Sequence, residues 1–240
     1  PTLEDRAFLT ADQVVISMPW SALFRRELLF DSVAISDWAM VVESFPGDRH
    51  TFPDLSELAL SEDTWFVTTL SEIHAERGQF TYKDHATPWS VVGRDFDITV
   101  TKMLDYKGHA EFSGGTVQLQ SFEPMQAALQ ADFQIDDGKV IFDQIDLQTD
   151  GTESSLMGTA NIMNWPEQFY QVRSELDLPI LRDIFFPNEA FTLSGDGDFV
   201  GTFHLYDGGR NLRGEFSSER LGIDSNPFSE VRGSVAWRRD

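Results

Sequence analysis

Leu193-Ser194-Gly195-Asp196-Gly197-Asp198-Phe199-Val200-Gly201-Thr202-Phe203-His204-Leu205 is the stretch that decides the fold class. Every odd position is apolar or Gly, and every even position except Val200 is polar or charged. Side chains that alternate with period two belong to a half-buried strand, with one face against something apolar and the other in water. Here the wet face carries acid.

Working outward, the same grammar runs from about residue 127 to the C-terminus. Asp136-Asp137-Gly138-Lys139 separates 131–135 from 140–147, and Asp150-Gly151-Thr152 precedes 155–163. Both are hairpin signals, because Asp-Gly supplies the positive φ of a tight turn. Tyr206-Asp207-Gly208-Gly209-Arg210 reads as another, followed by strands at 211–217 and 231–237. Upstream, strands are expected at 12–18, 29–44, 65–70, 75–83, 89–102, 108–113 and 116–120. Within 29–44, Val33, Ile35, Ala39 and Val41 are expected on one face, and Trp38, Met40 and Val42 on the other. Short turns between strands favour an antiparallel meander.

Two segments break the alternation. Pro19 to Leu28 has helical apolar spacing at Trp20, Leu23, Phe24 and Leu28. Leu176 to Pro187, with Pro179 and apolar residues at 180, 181, 184 and 185, reads as one or two helical turns across an end or edge of the sheet. Residues 46–64 are expected to form a mobile connection. The fold expectation is therefore all-β: an elongated, curved antiparallel sheet, taco-like or U-shaped, with one or two short helices. A closed β-sandwich is the alternative, since alternation does not separate a dry core from an open groove. Residues 1–240 are expected to be one continuous β unit, a fragment of a longer chain.

Composition narrows the function. Forty acidic against 18 basic residues give a formal charge of −22, which repels the phosphates that a nucleic-acid binder must neutralise. Nucleic acid is excluded as an expected partner, and so is electrostatic docking on anionic lipid headgroups. Hydrophobic residues make up 41% of the chain, twenty of them Phe, so there is apolar volume to fold around. The absence of Cys removes disulfides, thiolate metal sites and thiol nucleophiles.

Catalytic signatures do not emerge. His50, His74, His85, His109 and His204 lack the close helical spacing of a zinc pair. Neither a Gly-x-Ser-x-Gly elbow nor a phosphate loop ending in Lys-Ser or Lys-Thr is present. Asp196-Gly197-Asp198 begins like a calcium loop, but position five is Val200 and no Glu stands at position twelve, so two acids on the solvent face of a strand is the better account. Among forty acids some carboxylates face one another by chance, so a glycosidase pair carries no weight. No enzyme, cofactor or metal is expected.

A family resemblance enters through the order of several segments. Val14-Val15-Ile16-Ser17-Met18-Pro19-Trp20-Ser21-Ala22-Leu23-Phe24 followed by Leu28 to Ser36 resembles the entry to an AsmA-like repeat. Gly195 to Leu205, Leu212 to Ser218 and Phe228 to Val235 resemble the strand repeats of the TamB type within that family. The likeness covers about two thirds of the chain and consists of loose strand patterns. It implies a periplasmic protein anchored in the inner membrane of a diderm bacterium, with a long curved sheet whose apolar concave face conducts phospholipids during outer-membrane biogenesis. It further implies membrane contact through parts outside this chain, and an outer-membrane barrel protein as partner.

On this reading the lipid-groove candidates are the inward residues of the best-defined strands: Leu129, Phe133, Ile135, Ile141, Ile145, Leu193, Phe199, Phe203, Leu205, Phe216, Val235 and Trp237. The reading from a different class is a closed sandwich acting as an adhesion or carbohydrate-binding module, with Trp65, Trp89 and Trp165 as stacking residues.

Overall fold

A computed structural model describes residues 7–19, 29–46, 49–52, 69–85, 89–102, 105–120, 122–163, 167–206 and 209–239. The strands are β1 (Leu9–Ser17), β2 (Leu29–Phe45), β3 (Arg49–His50), β4 (Thr69–Asp84), β5 (Trp89–Lys102), β6 (Tyr106–Leu119) and β7 (Met125–Asp136). They continue with β8 (Lys139–Thr149), β9 (Thr152–Asn161), β10 (Gln168–Asp177), β11 (Leu193–Ser194), β12 (Asp196–Tyr206), β13 (Gly209–Ile223) and β14 (Asn226–Arg239). Among the described residues one helix, α1 (Leu178–Phe185), interrupts them.

All fourteen strands of the described residues belong to a single sheet, which is open and curved. The closed sandwich is not what forms: among the described residues no second sheet is apposed to the first. β3 and β11 are two-residue pieces at strand ends, so the sheet is twelve strands wide from β1 to β14. Eleven interstrand steps of about 4.8 Å span roughly 53 Å.

From β4 to β10 each strand pairs antiparallel with the next, as the short turns require. The expected all-antiparallel meander fails at one place: β2 pairs parallel with β4, with Val33 beside Ile73 and Val42 beside Tyr82. A parallel pair needs a crossover rather than a turn. Of the expected mobile connection, Arg49–His50 folds back on the end of β2, while residues 53–64 lie outside the described residues. Apart from Pro19, the short helix or turn expected at 19–28 also lies outside them, as does most of the strand expected at 65–70.

Bulges set the curvature. Asp37, Arg77 and Asp95, on the neighbouring strands β2, β4 and β5, all have φ between 50° and 54°. On β6 the register shifts between Phe112 and Gly115. This shift also explains why the two strands expected at 108–113 and 116–120 are one strand with a kink. An extra residue bends its strand and raises the local twist, so a row of bulges creases the sheet. The Asp37 carboxylate grips the Arg77 guanidinium at 3.0 Å through both oxygens, and the Arg77 amide donates to Asp97 Oδ1 at 2.8 Å. Hydrogen bonding to Arg77 holds the Asp37 carboxyl below its usual range.

The helix confirms the break seen at Pro179. Asp177 accepts a hydrogen bond from the Ile180 amide at 3.0 Å and caps the first turn, where Pro179 lacks a donor in any case. Ile180 and Leu181 lie over Gly151 in the β8–β9 turn, and Phe185 meets Phe122 edge-on at 5.1 Å. The helix thus closes over one end of the sheet. Asp177→Ala should cost about 1 kcal/mol and lower the Tm by about 2–4 °C in a thermal melt. An unchanged Tm would mean that packing on Gly151 and Phe122 holds α1 without its cap.

Candidate functional site: the concave face

Residues paired across antiparallel neighbours point to the same side, so the register assigns every strand residue to a face. Phe199 pairs with Phe216 and with Ser174, Phe203 with Leu212 and Tyr170, and Leu205 with Gln168 and Arg210. Followed strand by strand, this face holds Phe142 opposite Phe133, Ile145 opposite Ala131, Ala110 opposite Ile98, and Val91 opposite Tyr82. It is the concave side, because two of its members from distant strands meet across it. Asp84 of β4 and Arg210 of β13 form an ion pair with N···O of 2.5 Å.

Acid is segregated from it. Glu72, Asp97, Glu111, Asp132, Asp146, Glu153, Glu175, Asp198 and Glu215 all fall on the convex side by register. Among the register-paired concave positions of β4 to β13, Asp84 is the one acid, and Arg210 neutralises it. Asp196 and Asp198 also face outward and are exposed, as the strand reading of that segment requires.

Aromatic rings pave the concave face. Trp38 meets Phe96 at 5.5 Å, Phe96 meets Phe80 at 6.1 Å and Phe112 at 5.7 Å, and Phe142 lies 6.0 Å from both Phe133 and Tyr170. The rings lie down rather than stand up because glycines sit beneath them. A Cβ at Gly78 would fall 2.0 Å from the Trp38 ring, at Gly108 2.3 Å from Phe133, and at Gly197 2.4 Å from Phe216. An aromatic flattened over a cross-strand glycine covers backbone and leaves the lumen less filled. Through the middle of the sheet this paving is buried, with Trp38 3%, Phe112 6% and Phe199 9% exposed, so the rings pack on one another there. At the two edge strands the concave face is open: Ile16 is 56% exposed and Trp237 42%.

Ten of the twelve residues proposed from sequence share this face: Leu129, Phe133, Ile135, Ile145, Phe199, Phe203, Leu205, Phe216, Val235 and Trp237. Ile141 does not. It stands opposite Gln134 and Thr159 on the convex side, because a bulge between Phe142 and Ile145 shifts the alternation, and Phe142 takes the inward place. Leu193 sits apart in β11, opposite Ile223 near α1. Asp37 has the same effect in β2. Its bulge puts Trp38, Met40 and Val42 on the concave face with Val33 and Ile35, leaving Ala39 and Val41 outside, contrary to strict alternation.

Sequence reading missed Trp38, Phe80, Phe96, Phe112, Phe142 and Tyr170; the available signal was a glycine on the adjoining strand. Of the proposed stacking tryptophans, Trp89 is half-buried against Tyr82 at 4.9 Å, while Trp65 and Trp165 lie outside the described residues.

Two phenols register the dryness of this face. Burial, aided by the Asp84 charge and opposed by a Ser44 hydrogen bond and by Arg210, pushes the Tyr82 hydroxyl up to about 12. Burial alone pushes Tyr170 up further, while its hydroxyl donates to Gln168 Oε1 at 3.0 Å.

Compared with known proteins, the chain matches no family model, no curated protein and no solved structure. No described helix is long and apolar enough to cross a membrane.

Proposed function

We propose that this chain is a periplasmic section of an AsmA-like protein of the TamB type, and that its concave face binds phospholipid acyl chains and lets them pass along it between inner and outer membrane. The observation that carries the reading is the sidedness of the sheet. One curved face is paved with flattened aromatics and nearly free of acid, while the other bears the acidic residues. An acyl chain lying on such a face keeps its headgroup in water, and no catalytic residue is needed. Each buried methylene contributes about 0.8 kcal/mol, so ten give roughly 8 kcal/mol before losses. The membrane anchor and an outer-membrane barrel partner belong, on this proposal, to parts of the protein outside this chain.

The test is native mass spectrometry of the purified chain, with Phe203→Glu as the matched variant. Phe203 lies between Tyr170 and Leu212 on the concave face, so a carboxylate there would have to be buried beside the acyl chain or stay in water and displace it. Phospholipid adducts on the parent chain, reduced at least tenfold in a folded Phe203→Glu, are expected. A lipid-free parent chain, or equal adducts on both, rejects the groove.

A further inference from the structure

The ion pair between Asp84 and Arg210 joins residues 126 apart in sequence, on strands with seven others between them in the sheet. By register the two lie at opposite ends of their strands. Asp84 stands in line with Trp89 and Leu119 at the end of β6, and Arg210 with Leu205, Gln168, Ala160, Val140, Ile135 and Tyr106 at its beginning. Eight strand-to-strand steps separate β4 from β13, and about 20–25° of twist per step accumulates to roughly 160–200°. That half-turn swings the far end of β13 over the near end of β4. Both side chains are largely buried, at 4% and 13% exposure, and Asp84 also accepts from Trp89 Nε1 at 3.1 Å.

We infer that Asp84 and Arg210 form a strap across the concave face, tying its two walls together and setting the width of the groove, so that releasing the pair opens it. Hydrogen bonds of the sheet do not join β4 to β13, which leaves the side chains to hold the walls at this point. Trp89 fixes the carboxylate from the β4 side, so the moving partner is Arg210 with its wall.

The chain has no cysteine, so a single pair of spin labels can report the gap. Arg94→Cys on β5 and Glu215→Cys on β13 are both exposed on the convex side, away from the strap. In lipid-free protein, electron–electron distance measurement should give one narrow distribution for the parent chain. Arg210→Ala or Asp84→Asn should lengthen the mean distance and at least double its width, and the charge-swapped Asp84→Arg/Arg210→Asp chain should recover the parent distribution. A folded Arg210→Ala with an unchanged distribution overturns the strap. Where the single variants do not fold, the swap decides: the parent distance supports the strap and a longer one rejects it. Because no lipid is present, this outcome is independent of whether the groove carries lipid.

Discussion

Gly201→Val is expected to destabilise the protein by about 3 kcal/mol, lowering the Tm by roughly 6–12 °C for a chain of this length. Gly201 and Gly214 face each other across β12 and β13. A Cβ on Gly201 would fall 2.3 Å from the Arg213 carbonyl oxygen, 2.9 Å from the Gly214 Cα and 2.6 Å from the tip of the Phe199 ring. A ring can swing aside, but the opposing backbone cannot without separating the strands, so the cost is paid in ladder hydrogen bonds and in the packing of Phe199. Gly233 provides the control. It lies in β14 opposite Phe216, yet nothing comes within 4 Å of a Cβ built there. Gly233→Ala should stay within about 0.5 kcal/mol of the parent or gain slightly through a less flexible unfolded chain. Chemical denaturation of the two variants checks both, and equal stabilities would remove the close strand approach as an explanation for these glycines.

Raising the pH from 10 to 12 should remove about 2 kcal/mol of stability through Tyr82 alone. An unfolded phenol loses its proton near pH 10, whereas folded Tyr82 holds it to about 12. Between those values the unfolded state binds fewer protons, so stability falls as pH rises, by about 1 kcal/mol per unit. Below pH 10 both states are protonated and the term vanishes. Tyr170 acts with the same sign, its phenol held neutral by burial. Urea titrations at intervals from pH 9 to 12 should therefore show a steep decline that Tyr82→Phe relieves by about half, the remainder belonging to Tyr170 and to general charge repulsion. If the Tyr82→Phe slope matches the parent slope, the hydroxyl beside Asp84 and Arg210 is wet.

The strand grammar was legible because a half-buried strand must alternate, and because Gly-rich turns punctuate it. β5 was read with its observed limits, and the break at Pro179 was read as helical. Legibility ended wherever one extra residue entered a strand. The bulge at Asp37 turned Trp38 inward with Val33, and the bulge beyond Phe142 turned Ile141 outward. A one-residue slip reverses every later side chain, and no composition signal announces it, since Asp37, Asp95 and Asp143 look like ordinary solvent-facing acids of their strands.

The residues of the strap were legible only as a polar strand end and a hairpin. Asp84 and Arg210 meet through twist summed over eight strand pairs, a quantity that no local window contains. By itself, then, the sequence determined that this protein is a sheet with an apolar and an acidic side, because period two and charge are local properties of the chain. Tertiary structure alone decided that the sheet stays open rather than pairing with a second one, which side is concave, and which distant residues hold its walls together. Those outcomes depend on accumulated twist, bulge phase and backbone approach at glycine, all of which are long-range consequences of how the strands stack.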